Sequence, residues 1–147
     1  MACSVRRGVM VCAVALLAVS GCGDSGPTVA QAGETLKAHI TELMKKSHVL
    51  DVRITDVGGR DVPCGDGKAK RTFAATGRDS APEREPNSLN IFMLGALDSV
   101  APYRIVEDRG NAPIRLASEK YKTVVILESP ANGQYAVSGE TECLPIS

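Results

Sequence analysis

The sequence predicts an α+β fold, a two-layer sandwich in which two amphipathic helices pack on a mainly antiparallel sheet. Three observations predict it. Two segments, near residues 28–47 and 87–101, carry apolar residues at helical spacing, while several others alternate apolar and polar residues as half-buried strands do. The third is Asn132-Gly133 between two of those strands, a strong hairpin signal because both residues tolerate the positive φ of a type I′ turn. At 147 residues, 44% of them hydrophobic and 23% charged, the chain has the length and composition of one globular domain. Aromatics are only 3% and Trp is absent, so the core must be aliphatic.

Along the chain, Thr28-Val29-Ala30-Gln31 has the pattern of a capping box, with Thr28 at the N-cap. Val29, Ala32, Leu36, Ile40, Leu43 and Met44 then recur on one helical face, and the helix ends near Ser47. Gly33 weakens it by about 1 kcal/mol and is expected to delay its start. Leu50, Val52 and Ile54 alternate with Asp51, Arg53 and Thr55, a strand with one wet face that Gly58-Gly59 ends. A Gly-, Asp- and Pro-rich loop carries Cys64, and residues 70–76 form a second strand pairing with the first. Residues 77–86 are charged and Pro-containing, which predicts an exposed, mobile loop. Asn87 or Ser88 caps the second helix, with Leu89, Phe92, Met93, Ala96, Leu97 and Val100 facing inward and Pro102 stopping it. Strands follow at 103–107, 114–117, 121–128 and 134–141, the first two joined by a turn at Arg109-Gly110-Asn111. No internal repeat or low-complexity tract is visible.

The first two dozen residues have a different character. Arg6 and Arg7 precede an uncharged apolar run over residues 9–19. That run is about a dozen residues long where a spanning helix needs roughly 20, so it is the length of a signal-peptide core. It ends in Val19-Ser20-Gly21-Cys22, which resembles a bacterial lipobox: an aliphatic residue, two small residues and a Cys. The resemblance implies that the Cys22 thiol receives a diacylglyceryl group and that a peptidase cuts before it. Residues 1–21 are then a signal peptide, 22–27 a lipidated Cys with a short polar tether, and 28–147 a single α+β domain. Two acyl chains suffice for stable anchoring, where one holds a protein only marginally. The layout and the terminal Cys143-Leu144-Pro145 are similar to small envelope lipoproteins of high-GC Gram-positive bacteria, which places the chain on the extracytoplasmic face of the cell membrane.

Five cysteines become two once processing is applied. Cys3 and Cys12 leave with the signal and Cys22 is lipidated, so Cys64 and Cys143 remain in an oxidising compartment and are expected to form a disulfide. A metal site is the less favoured reading, because His39 and His48 are the only histidines and neither has ligand spacing from a Cys.

Chemistry is sparse elsewhere. Lys+Arg 17 against Asp+Glu 17 gives no footprint for nucleic acid, and the processed chain keeps 15 basic residues against 17 acidic, too few for a polybasic hold on anionic lipid. No G-x-S-x-G, H-E-x-x-H, Walker or dinucleotide fingerprint occurs, so no catalytic, cofactor-binding or metal residue is assigned. His39 reads as a boundary residue of the first helix, and His48 as one favoured by the helix dipole. Asp61, Asp66, Glu83, Glu85, Glu107 and Asp108 read as solvated turn residues, and the run Lys68-Ala69-Lys70-Arg71 as a protected strand edge. The expected role is a non-catalytic binding or interaction module of the cell envelope, meeting a protein, lipid or wall component on its sheet face or on the 77–86 loop. Alternatives are a carrier of an apolar small molecule or lipid, or a small hydrolase using two of the loop carboxylates.

Overall fold

The structure, a computed structural model, describes residues 26–110 and 113–147. The expected signal peptide, the lipobox-like segment with Cys22 and the expected turn residue Asn111 lie outside the described residues. Two α-helices pack with a mainly antiparallel sheet, an α+β architecture. None of the described helices is long and apolar enough to cross a membrane.

Helix α1 (Val29–Lys46) starts where its capping residues dictate. The Thr28 hydroxyl accepts from the Gln31 N–H at 3.3 Å and the Gln31 side-chain oxygen accepts from the Thr28 N–H at 3.0 Å. All six predicted apolar residues are buried. Gly33 does not delay the start. It lies against Arg71, whose Cδ would come within 2.7 Å of any Cβ placed there, so the position is one of close approach. The chain leaves α1 through His48 in a left-handed conformation (φ 51°), whose N–H bonds to the Lys45 carbonyl at 3.0 Å.

The strand expected over 70–76 is divided. Strand β1 (Leu50–Asp56) pairs antiparallel with β4 (Thr72–Arg78), as a hairpin predicts, but a second hairpin is inserted between them: β2 (Val62–Gly65) and β3 (Lys68–Lys70). Arg71 is the crossing point, its N–H donating to the Thr141 hydroxyl and its carbonyl accepting from the Thr141 N–H at 2.9 Å. Cys64 therefore sits in a strand, not a loop. The basic run is not a sheet edge either, because β3 lies between β2 and β9 (Leu144–Pro145), with Ala69 fully buried. Ala69 and Leu144 close a small core with Val29 and Ala32 of α1.

Helix α2 (Pro86–Asp98) begins at a proline one residue before the predicted caps, and Glu85 occupies the N-cap without a side-chain bond. Its buried stripe is narrower than predicted: Leu89, Asn90, Met93 and Leu97, with Phe92 42% exposed and Ala96 and Val100 only partly covered. Residues four apart line up on one side of a helix, and the main contacts of α2 are with α1, β7 and β8. Strands β5 (Arg104–Glu107), β6 (Ile114–Ser118), β7 (Thr123–Glu128) and β8 (Gln134–Thr141) form an antiparallel meander that ends against β4. The large sheet thus runs β1-β4-β8-β7-β6-β5.

The link between β7 and β8 is not a two-residue type I′ turn. Gly133 has φ 66° but Asn132 stays at negative φ, and the connection spans five residues. Its carbonyl accepts from the Asp79 N–H at 2.8 Å and its N–H donates to the Arg84 carbonyl at 2.9 Å, so a tertiary contact decides the loop. By the same bonds residues 79–85 are fastened to the sheet, and residues 77 and 78 belong to β4; Ser80, Pro82, Glu83 and Glu85 are exposed as expected, but the segment is anchored where a mobile loop was expected.

The disulfide is present between Cys64 and Cys143, with Cα atoms 5.9 Å apart, and ties β2 to the segment between β8 and β9. Closing a loop of this length contributes up to about 4.5 kcal/mol by restricting the unfolded chain. A double Cys64→Ser, Cys143→Ser variant should lose stability by up to about that amount in urea unfolding, with the small sheet losing amide-exchange protection before β4–β8.

Candidate binding groove at the sheet edge

Strand β1 is the edge of the large sheet, and α1 stops short of covering it. The helix packs over β4, β7 and β8. Val52 and Ile54 belong to the helix-side face of β1, Ile54 standing opposite Ala75, yet they are 46% and 48% exposed, and Leu50 is 48% exposed. Between β1 and α1 lies a groove of about 260 Å³, lined by Thr41, Met44, Lys45, Val49, Val52, Ile54, Phe73 and Ala75. Six of those eight side chains are apolar. The strand bulges on either side of this stretch, between Leu50 and Arg53 and between Ile54 and Asp56, with Asp51 at φ 49°. On its opposite face Asp51 pairs with Arg78, whose hydrogen bond and charge hold the Asp51 carboxyl below the usual carboxylate range.

Small-molecule pockets run roughly 300–1,000 Å³ and bury most of their ligand. This groove is smaller and open along β1, the dimensions of a seat for one or two apolar side chains. The space between the helices and the sheet is filled by Leu36, Ile40, Leu43, Leu89, Met93, Leu97 and the sheet residues facing them. A second apolar cleft, about 420 Å³, opens at the other edge between α2 and β5, with Ile91, Leu94, Tyr103 and Ile105 on its walls.

The residues singled out from sequence fall as follows. His39 is half-buried, its Nδ1 3.0 Å from the Tyr103 hydroxyl, which in turn lies 2.8 Å from the Thr123 hydroxyl. Tyr121 meets the imidazole edge-on at 4.7 Å. Burial lowers the His39 pKa and raises that of Tyr103. The chain of hydroxyls ends at Thr123, buried on β7, so it fixes the Tyr103 ring. His48 is exposed at the C-terminus of α1. Asp61 receives Arg71 Nε at 2.6 Å, Asp108 receives the Gly110 N–H at 2.9 Å, and Glu107 pairs with Arg109 at 2.5 Å. Asp66 lies at the β2–β3 turn and Glu83 precedes α2. Glu85 lines a depression with Asn87, Asn90, Ser129 and Asn132 but no second carboxylate on its wall. Among the described residues no cluster of three His, Cys, Asp or Glu side chains is placed to hold a metal ion.

One carboxylate that sequence reasoning passed over has the richest surroundings. Asp79, its side chain 4% exposed, accepts from Tyr135 Oη at 2.5 Å, the Ala81 N–H at 2.7 Å and Arg84 Nη1 at 3.0 Å. Burial alone raises its pKa, but the Tyr135, Ala81 and Arg84 interactions together hold it below the ordinary value. The same burial and the Asp79 charge push Tyr135 well above the usual tyrosine range. The signal available in sequence was Asp79-Ser80-Ala81, an Asp able to bond the backbone two residues on.

Because the folded-state pKa of Asp79 lies below its unfolded value, its contribution is complete above the unfolded pKa of about 4 and is lost as pH falls through the folded value. Tyr135→Phe should cost about 1–3 kcal/mol at neutral pH by removing one partner of a buried carboxylate. Asp79→Asn should flatten the acid limb of the stability-against-pH curve, measured by urea unfolding between neutral pH and about pH 3.

Compared with protein-family models, with curated proteins and with solved structures, the chain matches none.

Proposed function

We propose that the chain is a lipoprotein anchored through Cys22 to the extracytoplasmic face of the cell membrane, and that its domain is a non-catalytic binding module of the envelope. The two helices form one layer over the sheet, a two-layer sandwich, and the groove between α1 and β1 is where a partner protein seats an apolar segment. The observation that carries this reading is the apolar seat left beside an edge strand, with Val52 and Ile54 nearly half exposed. An edge strand offers unpaired backbone groups to an extended segment, and alternate side chains then enter the groove. The lipobox Val19-Ser20-Gly21-Cys22 supports the anchor. The small volume of the groove and its opening along β1 favour an interaction module over a carrier at this site.

A photo-crosslinking residue at Val52 in the producing cell should give one reproducible envelope adduct that the same residue at Glu119 does not. Val52→Asp with Ile54→Asp should abolish an adduct formed from position 41, on the α1 side of the groove. Because both side chains are substantially solvated, stability should fall by about 1 kcal/mol or less. No adduct at Val52, or an adduct that survives the double substitution, removes the groove from consideration. Mass spectrometry of the membrane-extracted protein should find a chain starting at Cys22, heavier by a diacylglyceryl group and lighter by the hydrogens lost in the Cys64–Cys143 bridge.

A further inference from the structure

Which end of the domain meets the membrane follows from where α1 begins. We propose that the outer face of the small sheet, carrying Val62 and flanked by Val57 and Ile146, rests in the headgroup layer of the phospholipid bilayer that holds Cys22. The inference rests on the lipid anchor proposed above.

Five residues separate Cys22 from Thr28, and five residues reach at most roughly 17 Å. An 18-residue helix is about 27 Å long, so the far end of α1 lies a helix length beyond the tether's attachment. The near end is closed by the small sheet, because Val29 and Ala32 of the first turns pack on Ala69 and Leu144. Alternation then orients that sheet. Ala69 faces the helix, so Lys68 and Lys70 on either side of it face away, and Val62, directly opposite Lys70, shares their face. Strand β1 runs back from the end of α1 toward this same end and delivers Val57 just past its last residue; Gly58, the next residue, touches the start of β4. Ile146 is held at the tip of the β2–β3 hairpin by its N–H bond to the Gly67 carbonyl at 3.1 Å. Val57, Val62 and Ile146 are 73%, 46% and 47% exposed.

The charge at this end does not oppose lipid. Asp61 is paired with Arg71 at 2.6 Å, Glu140 with Arg115 at 3.1 Å and Lys70 at 3.5 Å, and Glu142 with Lys122 at 3.8 Å. Asp66, at the hairpin tip, is followed two residues on by Lys68 of β3. The three aliphatic side chains add contact to an attachment that the acyl chains already provide, and they set its orientation.

The chain contains no Trp, so a single introduced one reports on one place. Val62→Trp and Ile146→Trp are compared with Leu50→Trp, an equally exposed position at the opposite end of β1. Each protein is extracted from membranes of the producing cell, weighed, and reconstituted in phosphatidylcholine vesicles brominated near the top of the acyl chains. Side chains entering the headgroup–acyl boundary, about 5–10 Å deep, come within reach of bromine, so the fluorescence of the first two should fall by about half while that of Leu50→Trp is unchanged. A protein carrying the lipid mass whose position-62 and position-146 signals are unquenched overturns the orientation and leaves the anchor standing. Equal quenching at all three positions also overturns it. A protein lacking the lipid mass overturns the anchor, and the orientation with it.

Discussion

The apolar stripe of α1 is the contact on which the other parts of the fold depend. Its first residues, Val29 and Ala32, belong to the small core under β3 and β9, while Leu36, Ile40, Leu43 and Met44 belong to the main core over the large sheet. A single helix therefore holds two sheets in register, and each buried aliphatic side chain contributes about 1.5–3 kcal/mol to doing so. Arg71 completes the arrangement from the other side. Its side chain lies along the helix at Gly33 and its backbone bonds to Thr141, at the point where the chain passes from the small sheet into β4. Without α1 the small sheet would lose its cover and the large sheet would keep only what α2 lays over β7 and β8.

The same contact leaves an apolar face of β1 uncovered. A helix about 10 Å across covers two or three strands spaced about 4.8 Å apart, and α1 spends its width on β4, β8 and β7. Strand β1 lies beyond that width, so its helix-side residues Val52 and Ile54 have a floor in Phe73 and Ala75 but no roof. An exposed aliphatic edge is an aggregation hazard unless something breaks it. Here the two bulges and the left-handed Asp51, paired to Arg78 on the opposite face, disturb the strand on both sides of the groove. These irregularities oppose open-ended extension of the sheet.

How far the sequence could be read follows from the range of the interactions involved. Helix α1 was legible to its cap and to every buried residue, because a capping box and a 3.6-residue period are local signals. The disulfide was legible by elimination among five cysteines. Asp79 was not. Its burial depends on Tyr135, 56 residues away, and a short charged segment with prolines looks the same whether solvated or fastened down. The same long-range docking overrode the Asn132-Gly133 turn, and the Arg71 crossing depends on Thr141. The inward face of α2 was overdrawn for a related reason: periodicity gives the direction of an apolar stripe, while its width depends on how many neighbours the helix meets. Of the candidate groove, Val52 and Ile54 were legible as the dry face of a strand. That this face would stay half wet was not, since strand order decides which strand is an edge.

The position of the disulfide separates two regions of the domain that differ in constraint. The bridge lies in the small sheet at the N-terminal end of α1, and the loop it closes contains β3, β4, α2 and β5 through β8. Strand β1, by contrast, lies outside that loop and is joined to the large sheet along one side only, through β4. The two regions therefore differ in how freely they can adjust. Around β2, β3 and β9 the covalent bridge limits opening, whereas β1 is held only by an irregular pairing with β4, whose own pairing with β8 is continuous from Thr72 to Arg78. Local opening free energies within one protein range from near zero up to the global stability, and sites that must adapt are drawn from the low end. The braced small sheet and the edge strand held on one side share α1 as their common element, and on the function proposed above the first serves attachment and the second recognition.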